Sequence, residues 1–262
     1  MSAPSSRPSI AELRATTQPA SLFARNSGEH WAGRLYVRRL SPYLTRPLLR
    51  TRVTPNAVTW AMIAVGVLAA GVLTLPGLLA AAAAAVLIQG QILLDCVDGE
   101  IARWRRQFSP AGIYLDRFGH YVTETALPIG LGIRADGGWE ALGTYTTLGL
   151  LAAVLALMVR TESALVHVAR SEAGKPVVQD TVAVAEPRGS GLRRLRRALA
   201  FFPFFRAFVA VEATLLAVAA AMLDLALGDL QATRVLVVAL VPVAVITALG
   251  HLFAILASER LR

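Results

Sequence analysis

The chain has 262 residues, 55% of them hydrophobic, and a mean hydropathy of +0.56. This composition excludes an ordinary soluble protein and predicts an all-α integral membrane protein. The formal net charge is +9, carried almost wholly by arginines beside apolar segments, where they would face anionic lipid headgroups. Because the arginines lie beside apolar segments and do not form the basic, aromatic-lined face of single-strand binders, we expect no nucleic-acid partner.

Two segments come before the first long apolar run. Residues 1–30 are rich in Ser, Pro, Ala and Thr and lack the hydrophobic core of a signal peptide, so we expect a mobile cytoplasmic tail. Residues 31–53 interleave aromatic and aliphatic residues with arginines, which is typical of an amphipathic segment in the membrane interface; a basic loop is the alternative. Pro42 and Pro47 predict that this segment is kinked rather than one long helix.

Six largely apolar stretches follow, and we expect them to form a membrane domain of six transmembrane helices over residues 54–262. The first begins at Thr54-Pro55, a helix cap followed by a proline at the first helical position, and ends at a Pro76-Gly77 turn. Each stretch can cross most of a hydrocarbon core of about 30 Å. The predicted spans cover residues 54–75, 78–94, 112–133, 141–160, 204–225 and 235–257.

The arginines predict the orientation of these spans. With six spans, the outer connections hold only Arg134 and Arg234, and nearly all other arginines fall in the remaining connections and the two ends of the chain. Cytoplasmic loops carry an excess of Lys and Arg. We therefore expect a multi-pass protein of the cell (plasma) membrane, with both termini and the acidic motif described next on the cytoplasmic side.

Three acids and an imidazole lie where the second and third spans meet. Asp95 and Asp98 are three residues apart near the end of the second span, and Asp116 and His120 are four apart near the start of the third. Because a short loop joins these spans, we expect antiparallel helices with both pairs at one depth. Acids grouped within a membrane repel each other unless cations compensate them, so the pattern predicts Mg²⁺ or Mn²⁺ bound by carboxylates.

Small residues and an arginine accompany the acids. Gly99, Ala102 and Gly112 leave the helix faces open, and Arg103 is placed to meet a phosphate. A metal, an arginine and an open cleft predict a pyrophosphate site for in-line displacement at phosphorus. In the alternative interpretation, the acids pair with neighbouring arginines and only form a salt-bridged helix end.

The stretch from residue 95 to residue 120 resembles the signature of the CDP-alcohol phosphotransferase family, D-x2-D-G-x2-A-R-x8-G-x3-D-x3-D. The matching residues are Asp95, Asp98, Gly99, Ala102, Arg103, Gly112 and Asp116. The resemblance implies that the three aspartates bind a pair of divalent metal ions. It implies that the other four residues line the cytidine nucleotide site.

The same resemblance implies a reaction and its partners. A substituted phosphoryl group would pass from a CDP-alcohol, such as CDP-diacylglycerol, to an alcohol acceptor, releasing CMP in phospholipid biosynthesis. The acceptor would be a small alcohol or a sugar-phosphate-like molecule. Family members are commonly homodimers, so a homodimer is expected here.

His120 departs from the family pattern, which has an aspartate at this position. A neutral imidazole is a competent metal ligand and base, so we expect His120 to be catalytic, metal-binding or both. With one negative charge fewer, the second ion would bind more weakly or be a different ion. The alternatives are an inactive family member that binds a CDP-lipid or a partner as a membrane module, and a cation transporter, which the uncharged first span disfavours.

Other polar residues have two interpretations each. Glu124, one turn beyond His120, either orients the imidazole or packs between helices. Arg160 and Arg206 either bind an acceptor phosphate or anchor helix ends at the membrane surface. Glu100 follows the motif glycine, and this sequence resembles the branch of the family that handles inositol-phosphate or similar headgroups.

Overall fold

The computed structural model describes residues 8–19, 31–176 and 204–261, and every regular element in these ranges is helical. The all-α prediction is confirmed there. The described helices, α1 to α8, cover Ile10–Thr17, Arg38–Leu48, Pro55–Leu73, Leu78–Arg105, Pro110–Asp136, Thr144–Glu172, Ala210–Leu227 and Gln231–Leu256. A π-helical turn, Gly33–Val37, precedes α2, and short 3-10 turns cover Trp139–Ala141, Phe204–Phe208 and Glu259–Leu261.

Five described helices are long and apolar enough to cross a membrane: α3, α4, α6, α7 and α8. They indicate a multi-pass membrane protein. Helix α5, which contains the predicted third span, is not among the five. It carries Asp116, Arg117, His120 and Glu124, which lower its mean hydropathy. A sixth span therefore remains a prediction.

The first predicted span begins and ends where local signals place it. Helix α3 starts at Pro55, and Thr54 Oγ1 accepts a hydrogen bond from the Ala57 N–H at 3.2 Å, as expected of an N-cap. Gly77 adopts a φ of +96° in the turn before α4, a conformation that other residues rarely adopt. The cap and the turn are confirmed.

Two helices extend further than predicted. Helix α6 continues past Arg160 to Glu172, because no glycine or proline interrupts residues 161–172. Helix α2 includes both Pro42 and Pro47, although each proline lacks an N–H for the helix and crowds the carbonyl of the preceding turn. The remainder of the polar stretch after α6, residues 177–203, lies outside the described ranges.

The N-terminal segment differs from its prediction. Residues 10–17, expected in a mobile tail, form α1, and Ser9 and Glu12 close its first turn with capping-box hydrogen bonds of 3.1 and 2.7 Å. Leu13 is fully buried in a cluster with Leu49, Val58, Val97 and Ile101. The prediction is wrong for these residues, because tertiary packing of one leucine stabilises a short capped helix. Residues 1–7 and 20–30 lie outside the described ranges.

The chain divides into two units. The first comprises Met1–Leu68 and Val86–Val122, and it holds α1, α2 and every residue of the predicted site. The second comprises Ala69–Ala85 and Thr123–Arg262.

Close helix packing and one buried arginine characterise the second unit. A Cβ atom on Gly132 of α5 or on Gly149 of α6 would lie 2.5 Å from a backbone oxygen of the other helix, so only glycine permits this approach. Arg134 is fully buried and donates hydrogen bonds to the carbonyls of Leu75 at 2.6 Å and Gly77 at 3.0 Å. These hydrogen bonds give Arg134 a structural role, which explains why an arginine lies at this predicted outer end of α5, where cations are few.

Candidate metal centre

Asp95, Asp116 and His120 converge in the first unit. Asp95 lies on α4, and Asp116 and His120 lie one turn apart on α5. One donor atom from each side chain lies within 4.8 Å of the other two. The structure thus brings together three of the four side chains predicted to bind metal. Two carboxylates and an imidazole at this spacing are a donor set that fits a divalent cation.

The imidazole of His120 faces both acids. Its Nε2 atom lies 3.1 Å from Oδ1 of Asp95 and 3.7 Å from Oδ1 of Asp116. The side chains of Asp95, His120 and Asp116 are 31%, 41% and 47% exposed, so a ligand can reach the donor atoms. The residue at the last position of the motif thus lies beside the first acid and the third acid of the motif.

Asp98 is not part of this trio. It is buried, and its Oδ2 atom accepts a hydrogen bond from Thr59 Oγ1 at 2.6 Å. Because Thr59 lies on α3, this bond links α3 to the helix that carries the first half of the motif. The assignment of Asp98 as a metal ligand rests on its position in the motif.

Arg103 lies over Gly99. A Cβ atom at Gly99 would lie 2.9 Å from Nη1 and 3.0 Å from Nη2 of Arg103, so the glycine lets the guanidinium pack against α4. Arg103 Nε donates to the Thr17 carbonyl at 2.6 Å, and Arg105 donates to the Val53 carbonyl at 2.5 Å and the Thr51 carbonyl at 2.8 Å. These arginines bind backbone carbonyls, which argues against a salt-bridged helix end.

Two further motif positions are small and partly exposed. The Gly112 N–H donates to Ser109 Oγ at 3.0 Å, and a Cβ atom at Gly112 would lie 3.1 Å from Asn56 Oδ1. Ala102 is partly exposed on α4. A larger side chain at Gly112 would crowd Asn56 and Ser109, so the small residue keeps the start of α5 close to the start of α3.

Glu100 has a role that sequence reasoning missed. It is fully buried, and its carboxylate accepts hydrogen bonds from Ser41 at 2.5 Å, Thr45 at 2.6 Å and Gln18 at 2.8 Å. Ser41 and Thr45 lie one turn apart on α2 and Gln18 ends α1, so this carboxylate connects three helices. The only sequence signal was the four-residue spacing of Ser41 and Thr45.

Glu124 and Arg160 pair with each other. Arg160 Nε donates to Glu124 Oε2 at 2.5 Å, and a second bond joins Arg160 Nη2 to Glu124 Oε1. Since this bidentate pair occupies the carboxylate, the structure favours a packing role for Glu124 over orientation of His120. Arg206 is exposed in its 3-10 turn.

Another pair in the second unit involves a histidine that the sequence did not single out as functional. His251 Nδ1 lies 2.8 Å from Glu162 Oε2, and its Nε2 lies 3.4 Å from Ser163 Oγ. All three residues lie on α6 and α8. The contacts join these two helices, which is a structural role.

A family model described as CDP-alcohol phosphatidyltransferase matches residues 52–186, just over half of the chain, and this range includes the whole acidic motif. No curated protein matches the chain. The family comprises membrane transferases of phospholipid synthesis that take a CDP-alcohol donor and typically use a divalent metal. The chain belongs to the CDP-alcohol phosphatidyltransferase family.

Proposed function

We propose that the protein transfers a substituted phosphoryl group from a CDP-alcohol, such as CDP-diacylglycerol, to an alcohol acceptor and releases CMP. The observation that carries this proposal is the convergence of Asp95, Asp116 and His120, whose donor atoms lie within 4.8 Å of one another. The family match supports the reaction class. The acceptor is a small alcohol or a sugar-phosphate-like molecule that enters from the cytoplasmic surface.

The acidic cluster would hold the divalent ions. Asp95, Asp116 and His120 supply the donors that lie together, and Asp98 is assigned to the same site by its motif position. Mg²⁺ or Mn²⁺ fits carboxylate ligands, and we propose two ions. When bound, such ions neutralise negative charge on the pyrophosphate of the donor.

Arg103 is the residue proposed to bind the phosphates of the nucleotide. Its guanidinium packs directly over Gly99, which has no side chain to displace it from α4. A guanidinium binds phosphate through paired hydrogen bonds. Ala102 and Gly112, both small and partly exposed, are proposed to line the rest of the cytidine site.

In the role of base, in which Nε2 holds no ion, His120 is proposed to accept the proton of the acceptor hydroxyl at this atom. The resulting imidazolium is stabilised by Asp95, whose Oδ1 atom lies 3.1 Å away. The acceptor oxygen bonds to the phosphorus that carries the donor alcohol. The bond between this phosphorus and the bridging oxygen breaks, and CMP leaves with the bridging oxygen.

The membrane arrangement is also a proposal beyond the five apolar helices. We propose that α5 crosses the membrane as a sixth span, that residues 31–53 lie in the interface, and that residues 54–262 form the membrane domain. The arginine distribution supports placing both termini and the motif on the cytoplasmic side of the plasma membrane. The assembly is proposed to be a homodimer.

The test is CMP release by purified protein in mixed micelles containing CDP-diacylglycerol and a panel of small alcohols and sugar phosphates. We expect CMP when a suitable acceptor is present, and a loss of about a hundredfold or more in Asp116→Asn. Asp136→Asn is the matched control. Asp136 is also an acid of α5, but it lies outside the proposed site. Its carboxylate accepts hydrogen bonds from the N–H groups of Gly143 and Thr146 at the start of α6.

Two results would contradict the proposal: no CMP with any acceptor, or full activity in Asp116→Asn. Binding of CDP-diacylglycerol without CMP release would instead indicate a non-catalytic membrane module that binds CDP-lipids.

A further inference from the structure

The end of α1 contacts two residues of the motif stretch. Arg103 Nε donates a hydrogen bond to the Thr17 carbonyl at 2.6 Å, and Gln18 Nε2 donates to Glu100 Oε1 at 2.8 Å. The same Gln18 Nε2 atom donates a second hydrogen bond, to the Arg38 carbonyl at 2.8 Å. The segment before the first span thus reaches the residue proposed to bind the donor phosphates.

Glu100 holds this arrangement together from within. It is fully buried, and its three hydrogen-bond donors are Gln18, Ser41 and Thr45. A buried carboxylate is stable only with such partners, and hydrogen bonds to a charged acceptor are stronger than neutral ones. The carboxylate therefore fixes α1 and α2 against the helix that carries Arg103.

We infer that α1 is part of the donor-binding site and that Glu100 is a positioning residue for Arg103. The inference rests on the proposed function, in which Arg103 binds the pyrophosphate of the donor. A guanidinium is planar, so a hydrogen bond from Nε to a fixed carbonyl sets the plane of the group and the direction of both Nη atoms. Without α1, Arg103 keeps its charge but loses the Thr17 carbonyl that fixes this plane.

A purely structural role for α1 makes a different prediction. Leu13 is fully buried against Val97 and Ile101 of the motif helix, so loosening α1 lowers stability in either case. If packing were the only role of α1, its effect on nucleotide affinity would not depend on the side chain of Arg103. If α1 positions Arg103, its effect on affinity disappears when Arg103 is removed, and a double-mutant cycle measures this dependence.

The probe is CDP, bound to the purified full-length protein in the presence of Mg²⁺ and measured by calorimetry. Gln18→Ala removes the link to Glu100 and leaves Leu13 and the capping box in place. We expect this variant to bind CDP about three- to tenfold more weakly, the net effect of one ordinary hydrogen bond. A variant lacking residues 2–19 should bind CDP more weakly still.

The same two changes are then made in Arg103→Ala protein, where we expect neither to weaken CDP binding further. With CDP-diacylglycerol as substrate, KM should rise in Gln18→Ala while kcat changes little. Asp136→Asn, which weakens a set of hydrogen bonds in the other unit, should leave the Kd for CDP unchanged.

The outcomes separate this inference from the proposed function. An unchanged Kd in Gln18→Ala and in the shortened chain, or equal losses with and without the Arg103 side chain, would overturn the inference alone. No CDP binding by the wild-type protein would overturn the proposed nucleotide site together with the inference. If the shortened chain fails to fold, the Gln18→Ala cycle still decides the question.

Discussion

Nε2 of His120 on α5 lies 3.1 Å from Oδ1 of Asp95 on α4, so the residue that departs from the family motif contacts the first residue of that motif. The imidazole keeps the position of the family's last aspartate and changes its chemistry. An ionised aspartate carries a negative charge at this position, whereas a neutral imidazole carries none. Two consequences can be measured.

The first concerns the proton of the acceptor. We expect His120→Ala to lower kcat for CMP release by about 10²–10⁴-fold, the usual contribution of a positioned base. His120→Asp should retain more activity, because it puts back the carboxylate found in the family. Steady-state CMP release at saturating CDP-diacylglycerol measures both. An inactive wild-type protein together with an active His120→Asp variant would contradict the histidine-base proposal.

The second concerns the identity of the metal ion. Carboxylates suit Mg²⁺ and Mn²⁺, whereas imidazole favours transition metals. We expect EDTA to abolish CMP release, and we expect the ratio of Mn²⁺-supported to Mg²⁺-supported kcat/KM to be higher in the wild type than in His120→Asp. Titration of both ions against both proteins tests this. Equal ratios would mean that His120 does not bind the ion, and would leave it the role of base alone.

The convergence of Asp95, Asp116 and His120 was predictable because its geometry is local. Asp116 and His120 are one helical turn apart, which places them on one face, and the short loop between α4 and α5 brings Asp95 opposite them. The start of α3 was predictable for the same reason, since Thr54 and Pro55 act within one turn. In both cases the residues lie within one helical turn or across one short loop, so their spacing in the sequence predicts that they are close in space.

The surroundings of the trio were not predictable in this way. The three donors to Glu100 lie 55, 59 and 82 residues away in the chain, and the donor to Asp98 lies 39 residues away. No local pattern relates such partners. Helix α1 escaped prediction because its buried apolar contact comes from Leu13, which leaves no hydrophobic periodicity to detect. Sequence reasoning therefore missed one short helix and the long-range pairing of polar groups.

The ion pair between Glu124 and Arg160 gives a prediction about stability. The Glu124 side chain is 10% exposed and that of Arg160 is 43% exposed, so Arg160→Ala leaves a nearly buried carboxylate without its partner. We expect this variant to lose about 2 kcal/mol of unfolding free energy, less than for a fully buried pair because solvent screens the arginine. Arg160→Ala combined with Glu124→Ala should lose less than the sum of the single changes.

Denaturant unfolding in mixed micelles measures this cycle. Strictly additive losses would contradict the pairing. A selective rise in KM for a phosphorylated acceptor in Arg160→Ala, with unfolding free energy unchanged, would support the alternative role of Arg160 in acceptor binding.

Asp136, beyond the predicted third span, makes stability depend on pH. Burial acts to raise the pKa of Asp136, but hydrogen bonds from Thr146, Gly143 and Tyr145 to the charged carboxylate outweigh burial and lower the pKa below its ordinary value. Because the pKa is lower in the folded protein, the stabilisation is fully present above the unfolded value of about 3.9. It is lost as the pH falls through the folded value.

We therefore expect Asp136→Asn to lower the free energy of unfolding by about 1–2 kcal/mol at pH 7, the cost of weakening several hydrogen bonds to a charged group. The difference from the wild type should shrink as the pH falls below about 4, because the wild-type carboxylate is then protonated as well. Thermal unfolding of both proteins between pH 3 and pH 7 measures it. Asp229→Asn, an exposed acid in the turn before α8, is the control and should change stability by less than about 0.5 kcal/mol. A difference between Asp136→Asn and the wild type that stays constant across this range would mean that the charge of Asp136 does not stabilise the turn.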